Sequence, residues 1–346
     1  MPKRIIRKLT KKSEEPKKVE RITNETVSEH RAEILAGGRK FKYPVQYTRH
    51  KLVINSILIF LFAAIVTTVF IWWQLYLSQN TGSFLYRTTQ LLPLPVAKVD
   101  EEPVLYRDYL MEYRSSVYWL EQKSQSFEDK TRDGKRQAMH YKRLSLDKVE
   151  RESYARKLAK DKNITVSSKE IDEFIRQALV TSNRRLSYKA YESVLSDSFG
   201  VTNNEYRLML EHALLVQKVS FDIDKNAKTK AEAAKDELKK GQPFDVVFAK
   251  YSDELSLKET SGNVGFVPIN NQDQGVTRAA AKLKPNQISD LVKTPNGYYI
   301  VKLIEKKENQ VQYARIHIPL TVFEKQFEAL KKQNKIKEYI SVKEDS

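Results

Sequence analysis

Residues 239–254 read KKGQPFDVVFAKYSDE, residues 261–266 SGNVGF and residues 279–303 AAAKLKPNQISDLVKTPNGYYIVKL. Phe244, Val247, Phe248 and Tyr251 recur at the spacing of one helical face, which predicts a short helix. Ahead of it, Ala227–Lys240 is a helix with Ala231, Ala234 and Leu238 inward. Lys239 and Lys240 suit the negative end of its dipole, and Gly241 stops it. SGNVGFV is expected as a glycine-bearing loop and Ala279–Leu283 as one helical turn. Ile288–Lys293 and Tyr298–Ile304 read as strands joined by the turn Thr294-Pro295-Asn296-Gly297. A further strand candidate, VQYARIHIPL, occupies 311–320. Strand alternation puts Tyr313, Arg315 and His317 on one face, and Ala314, Ile316 and Ile318 on the other.

On the N-terminal side the pattern is helical. Val96–Val99 is a short extended piece, followed by Tyr106, Tyr109, Leu110, Tyr113, Val117 and Leu120 at helical spacing. Polar residues 121–143 are expected as a loop, and Leu146–Lys160 as a helix stopped near Asp161-Lys162-Asn163. Ser167 with Glu170 and Thr202 with Glu205 are capping boxes, each opening an amphipathic helix. Tyr188, Tyr191, Val194 and Leu195 form another, ended by Gly200. Beyond residue 320, Phe323–Tyr339 is expected as a final helix among many lysines.

Leu52–Leu77, LVINSILIFLFAAIVTTVFIWWQLYL, carries no charge. As a helix it extends about 39 Å, more than the ~30 Å hydrocarbon core of a bilayer. Trp72, Trp73 and Tyr76 sit at one end, where interfacial aromatics belong. The run is too long for a cleaved signal, and no A-x-A site follows. Residues 1–51 hold 15 Lys/Arg against 6 Asp/Glu, a net of +9, whereas residues 78–97 contain only Arg87. The positive-inside rule then places the N-terminus in the cytoplasm and residues 78–346 outside, with +8 of the total +17. The basic tail reads as a solvated topology signal that touches anionic headgroups, and no nucleic-acid partner is expected.

The chain has no cysteine, which excludes a disulfide framework, a thiolate zinc site and a cysteine nucleophile. Its histidines, His30, His50, His140, His212 and His317, have no local metal-ligand spacing. No G-x-S-x-G, H-E-x-x-H or G-x-x-x-x-G-K-[ST] motif occurs. No metal or cofactor is expected.

VAKVDEEPVLYRDYLMEY (96–113), KLAKDKNITVSSKEIDEFI (157–175) and YESVLSDSFGVTNNEYRLML (191–210) resemble, in order and spacing, the N-terminal chaperone region of SurA/PrsA-type foldases. That resemblance implies a helical cradle for unfolded polypeptide. The opening stretch, 239–303, resembles a parvulin (PpiC-type rotamase) peptidyl-prolyl isomerase domain. Parvulins begin with a strand bearing a histidine, but VQKVSFDIDKN before Ala227 has none, and 311–320 resembles that strand instead. The parvulin-like domain is therefore read as circularly permuted. An unrelated edge strand, or the start of a truncated second repeat, are the other readings. The expected fold class is α+β: a basic tail (1–51), a transmembrane helix (52–77), a linker (78–95), a helical chaperone domain (96–225), a parvulin-like α/β domain (226–320), and a C-terminal helix and tail (321–346).

Prolyl isomerisation rotates an amide over a barrier of ~18–20 kcal/mol. A protein assists by binding the twisted amide better than either planar form. The resemblance implies His317, Glu254 and Tyr299 at the catalytic positions, with Glu254 a negative charge beside the carbonyl and Tyr299 in place of a second histidine. It implies Val264, Gln272 and Val276 around the proline ring, with Asn296 and Thr294 in the adjoining turn. Gln272 and Val276 stand where the family has large apolar residues, so isomerase activity is expected to be weak, altered or absent. Two functions follow. One is a membrane-anchored extracytoplasmic folding factor that binds unfolded exported chains and isomerises X-Pro bonds. The other is a non-catalytic holdase or scaffold with a degenerate parvulin domain.

Overall fold

The computed structural model describes residues 23–42, 44–123, 131–181, 184–185 and 187–342. The chain divides into two units, Met1–Phe70 and Ile71–Ser346. The first contains α1 (Asn24–Lys42) and most of α2 (Pro44–Trp72). Helix over His50–Leu77 runs 28 residues at a mean hydropathy of 2.5, long and apolar enough to cross a bilayer. Its side chains, such as Ile59, Phe60 and Phe62, are exposed. Ser56, Thr67 and Thr68 each donate to the carbonyl four residues back, at 2.8 Å, so the few hydroxyls in the apolar run are satisfied within the helix.

The second unit opens with a π-helical turn, Trp73–Leu77, and continues through α3 (Ser83–Leu91), β1 (Pro95–Val99), β2 (Glu102–Leu105), α4 (Tyr106–Lys123) and α5 (Arg132–Lys162). After these come α6 (Ser168–Leu179), a short hairpin of β3 (Val180–Thr181) and β4 (Arg184–Arg185), α7 (Tyr188–Phe199) and α8 (Asn203–Ile223). Leu75, Leu85, Val96, Val99, Tyr106, Leu110, Leu146 and Val149 share one core. Residues 78–95, expected as a linker, thus contain a helix with Leu85 and Thr89 turned inward. The expected loop over 121–143 is helical from Arg132 onward. That segment lacks an apolar stripe but is rich in strong helix formers, and Thr131 caps it by accepting from the Gly134 N–H. Both capping boxes are present. Ser167 Oγ accepts from Glu170 N and Thr202 Oγ1 from Glu205 N, each at 3.3 Å, while each Glu carboxylate reaches back to the cap N–H at 2.8 Å.

The remaining elements are α9 (Lys225–Lys239), α10 (Phe244–Tyr251), β5 (Asn263–Pro268), α11 (Val276–Ala281), β6 (Val292–Thr294), β7 (Gly297–Lys306), β8 (Gln310–Pro319), α12 (Val322–Lys332) and β9 (Ile336–Glu338). Four strands form an antiparallel sheet in the order β5-β8-β7-β6. The last strand in sequence therefore lies inside the sheet, with Tyr299 opposite His317 and Leu303 opposite Tyr313. Tyr298, Ile300, Ala314, Ile316 and Ile318 pack on one side against Ala231, Ala234, Val247 and Phe248 of α9 and α10. Tyr299, Val301, Leu303, Val311 and Tyr313 pack on the other, against Val276 and Ala280 of α11.

Four local expectations are corrected. SGNVGFV contributes a strand, β5. Gly262, at φ 85°, brings its backbone so close to β8 that a Cβ would lie 2.5 Å from the Arg315 carbonyl oxygen, which is why glycine stands here. The helix near Ala279 starts earlier, at Val276, because the Asp273 carboxylate accepts from the Thr277 N–H at 2.9 Å. Ile288 makes only a single bridge, to Lys302, and regular pairing of β6 begins at Val292. The helix expected over Phe323–Tyr339 ends at Lys332, where Asn334 takes a left-handed conformation and the chain turns into β9. That strand adds to β1, with Ala97 opposite Glu338 and Val99 opposite Ile336. Phe323 and Phe327 pack on Tyr154, at ring separations of 5.3 and 6.0 Å. The C-terminal segment is thus part of the helical core.

Candidate functional site

The face of the sheet that carries Tyr299, Val301 and Leu303 also carries His317, Arg315 and Tyr313, since these pairs stand opposite one another across β7 and β8. The His317 ring is stacked on Tyr299, with centroids 4.3 Å apart and planes at 19°. Its Nδ1 lies 2.9 Å from Asp253 Oδ1 and its Nε2 3.2 Å from the Asn296 carbonyl oxygen. Its backbone N–H points to Ser252 Oγ, and its carbonyl accepts from the Asp253 N–H. The imidazole is therefore fixed from both ends and from one face, and a second-residue carboxylate orients it.

Glu254 faces a different partner. Arg315 Nε and Nη2 grip its carboxylate at 3.1 and 2.5 Å, a fork-on-carboxylate pair in which both groups are largely buried. Burial opposes the Arg315 charge, but the bonds to Glu254 outweigh it and hold the guanidinium above its usual range. Burial raises the Tyr299 phenol, and the Glu254 charge adds to this, so the hydroxyl stays protonated and able to donate. Beyond Arg315, Tyr313 donates to Asp273 Oδ2 at 3.0 Å and lies 3.0 Å from Thr277 Oγ1. Burial pushes the Tyr313 phenol up to about 12.

The residues named from sequence fall in different places. His317, Tyr299 and Asn296 meet directly, Asn296 through its carbonyl. Val264 and Val276 belong to the apolar cluster beneath Tyr299, with Val276 fully covered. Thr294 is buried in the β6–β7 turn and accepts from the Asn296 N–H at 3.2 Å, a turn-shaping contact. Gln272 stands apart, exposed at the loop before α11. Glu254 is neutralised by Arg315 and is not a free charge beside a substrate carbonyl. Asp253 and Arg315, which hold His317 and Glu254, are not among the site residues named from sequence. The signals were there: Asp253 precedes Glu254, and Arg315 shares the His317 face by alternation. Among the described residues no group of acidic or histidine side chains is arranged to hold a metal ion.

A family model described as the SurA-like N-terminal domain matches residues 47–220, just over half the chain, and one described as the PPIC-type PPIASE domain matches residues 212–305. Foldase protein PrsA 3 of Bacillus cereus is 38% identical over 92 residues, 26% of this chain and 32% of that one. Chaperone SurA of Methylobacillus flagellatus is 30% identical over 185 residues, 51% of this chain and 38% of that one. A crystal structure of a PrsA peptidylprolyl isomerase from Bacillus anthracis is 20% identical, covering 53% of this chain and 86% of that one at a TM-score of 0.20. The chain spans about a third of the length of the first relatives it matches. It belongs to the family defined by the SurA-like N-terminal domain, and it joins that domain to a PpiC-type rotamase domain.

Proposed function

We propose that this chain is a membrane-anchored extracytoplasmic folding factor that binds unfolded exported polypeptides and isomerises X-Pro bonds at the His317–Tyr299 face. The observation that carries the catalytic part is the fixed His317 ring: oriented by Asp253, stacked on Tyr299 and 12% exposed at its side chain. A hydrogen-bonding pair on a sheet face suits an amide that must lose resonance and rotate, since no covalent bond is broken and only the twisted form needs preferential binding. His317, with its two nitrogens held by Asp253 and the Asn296 carbonyl, offers a fixed ring beside the substrate amide, and the Tyr299 hydroxyl supplies a donor where the family has a second histidine. The domain is read as circularly permuted: the matched rotamase segment ends at residue 305, and β8 lies just beyond it yet fills an inner position of the sheet. The anchor is His50–Leu77, oriented by the basic residues that precede it.

A second reading, a holdase with a degenerate rotamase domain, is favoured by two observations. Arg315 takes up the Glu254 carboxylate, and Gln272 offers no apolar wall to a proline ring. Both readings are tested on the full chain in mild detergent. A protease-coupled isomerisation assay uses peptides with varied residues before proline, beside an aggregation assay on a proline-free unfolded client. The catalytic reading requires rate enhancement that falls roughly 10-fold or more in His317→Ala and Asp253→Asn. Aggregation suppression with no enhancement leaves the holdase. Neither activity sinks both.

A further inference from the structure

We propose that the outward face of α3, with Phe84 and Leu91 at its tips, is a lipid-contacting surface that lays the helical domain against the outer leaflet of the membrane. This rests on reading His50–Leu77 as a membrane span.

The end of the apolar helix is not a free tether. Leu75 is fully buried and shares a core with Leu85, Val96 and Tyr106. The Tyr106 hydroxyl donates to the Leu75 carbonyl at 2.6 Å, and the Tyr76 hydroxyl to the Pro95 carbonyl at 2.7 Å. The chain then turns at once. Asn80 N–H donates to the Gln74 carbonyl at 3.0 Å, the Asn80 side-chain oxygen accepts from Gly82 N–H at 2.8 Å, and Arg114 of α4 donates to the Thr81 carbonyl at 2.8 Å. Even a fully extended chain, at ~3.5 Å per residue, would keep Ser83 within roughly 21 Å of Leu77. The observed turn is tighter than extended chain, so α3 lies close beside the point where the apolar helix ends.

The two faces of α3 differ sharply. Leu85 and Thr89 are 3% and 1% exposed, whereas Phe84 and Leu91, seven residues apart and so on one side of the helix, are 70% and 85% exposed. Leu92, the next residue, is 46% exposed. Trp72 and Trp73, near the end of the apolar helix, are 53% and 48% exposed. The occupant is lipid because the surface follows directly in sequence on His50–Leu77, a helix long and apolar enough to cross a bilayer. Arg87, between Phe84 and Leu91 on the exposed side, offers a cation at headgroup level. Contact here would hold the polypeptide-binding domain at the membrane surface, where exported chains emerge.

The absence of cysteine makes the test direct. The full-length variants Phe84→Cys, Leu91→Cys, Ile59→Cys and Leu255→Cys each carry one nitroxide label. Each is reconstituted in vesicles of equimolar phosphatidylcholine and phosphatidylglycerol. Collision with oxygen, which concentrates in lipid, is compared with collision with a nickel chelate, which stays in water. All four positions are exposed on the protein, so the substitutions leave its core intact. The proposal requires oxygen to dominate at positions 84 and 91 as it does at 59, and the chelate to dominate at 255. Lipid exposure at 59 with water exposure at 84 and 91 overturns the proposal while sparing the span. Shielding from both reagents at 84 and 91 means a protein neighbour and also overturns it. Water exposure at 59 removes the span reading and the proposal together.

Discussion

Glu150 offers the sharpest test of the energetics of the helical domain. Its side chain is fully buried, and Oε1 has no hydrogen-bond partner. Arg143 is the nearest cation, at 3.4 Å, but its fork is already taken up by Asp147 at 2.6 Å and Glu338 at 2.8 Å. Lys331, from α12, is paired with Asp147 at 3.4 Å. Burial first, and the nearby Glu338 charge second, push the Glu150 carboxyl from its ordinary 4.5 up to about 8. The folded state therefore holds a proton that the unfolded state has lost between these values. The stabilisation is fully present below pH 4.5 and is lost as pH rises through about 8. At about 1.4 kcal/mol for each tenfold change, the whole window is worth roughly 5 kcal/mol, an upper bound because local relaxation lowers it. Glu150→Gln mimics the protonated acid. It should change stability little at pH 5 and raise it by about 2 kcal/mol or more at pH 8. The assay is equilibrium urea unfolding of the full chain in detergent, followed by near-ultraviolet circular dichroism. Tyr106, Tyr109 and Tyr154 in this core supply the signal. A variant less stable than the parent at pH 8 would show that Glu150 is ionised and held by Arg143, and would refute the reasoning.

Two further perturbations probe the architecture. Phe327→Ala empties a fully buried ring position against Tyr154 and should cost about 3–5 kcal/mol. Urea midpoints would register the loss for the helical domain as a whole, whereas an unchanged midpoint would mean that α12 is dispensable to that core. Gly297→Ala sets a Cβ 2.3 Å from the Ile318 carbonyl oxygen, at a φ of 140° that side chains avoid. Backbone strain alone costs about 1–3 kcal/mol, and amide exchange along β7 and β8 should quicken first, with His317 released from Asn296. Unchanged exchange there would contradict the close packing of these two strands.

The striped helices, both capping boxes and the apolar span were legible in the sequence because each is a local property. A helix needs its stripe at 3.6-residue spacing, a cap needs two residues three apart, and a bilayer-spanning run needs only length and the absence of charge. The His317 face was legible too, since alternation along one strand puts Tyr313, Arg315 and His317 together wherever that strand lies. The order β5-β8-β7-β6 was decided elsewhere. The hydrogen bonds that hold β8 between β5 and β7 are backbone groups common to all sequences, and the glycine that permits close approach, Gly262, meets Arg315 across more than fifty intervening residues. The choice of acid at the site has the same origin. Asp253 and Glu254 are adjacent in sequence and alike in chemistry, but the turn after α10 aims one at His317 and the other at Arg315. The return of α12 and β9 to the helical core, with β9 pairing Ala97 to Glu338 far along the chain, likewise has no local mark. What the sequence determined by itself was most of the helices, their caps and their apolar faces. Which faces met, and so which carboxylate oriented the histidine, was decided only when distant segments competed for the same apolar surface and the same backbone partners in the folded chain.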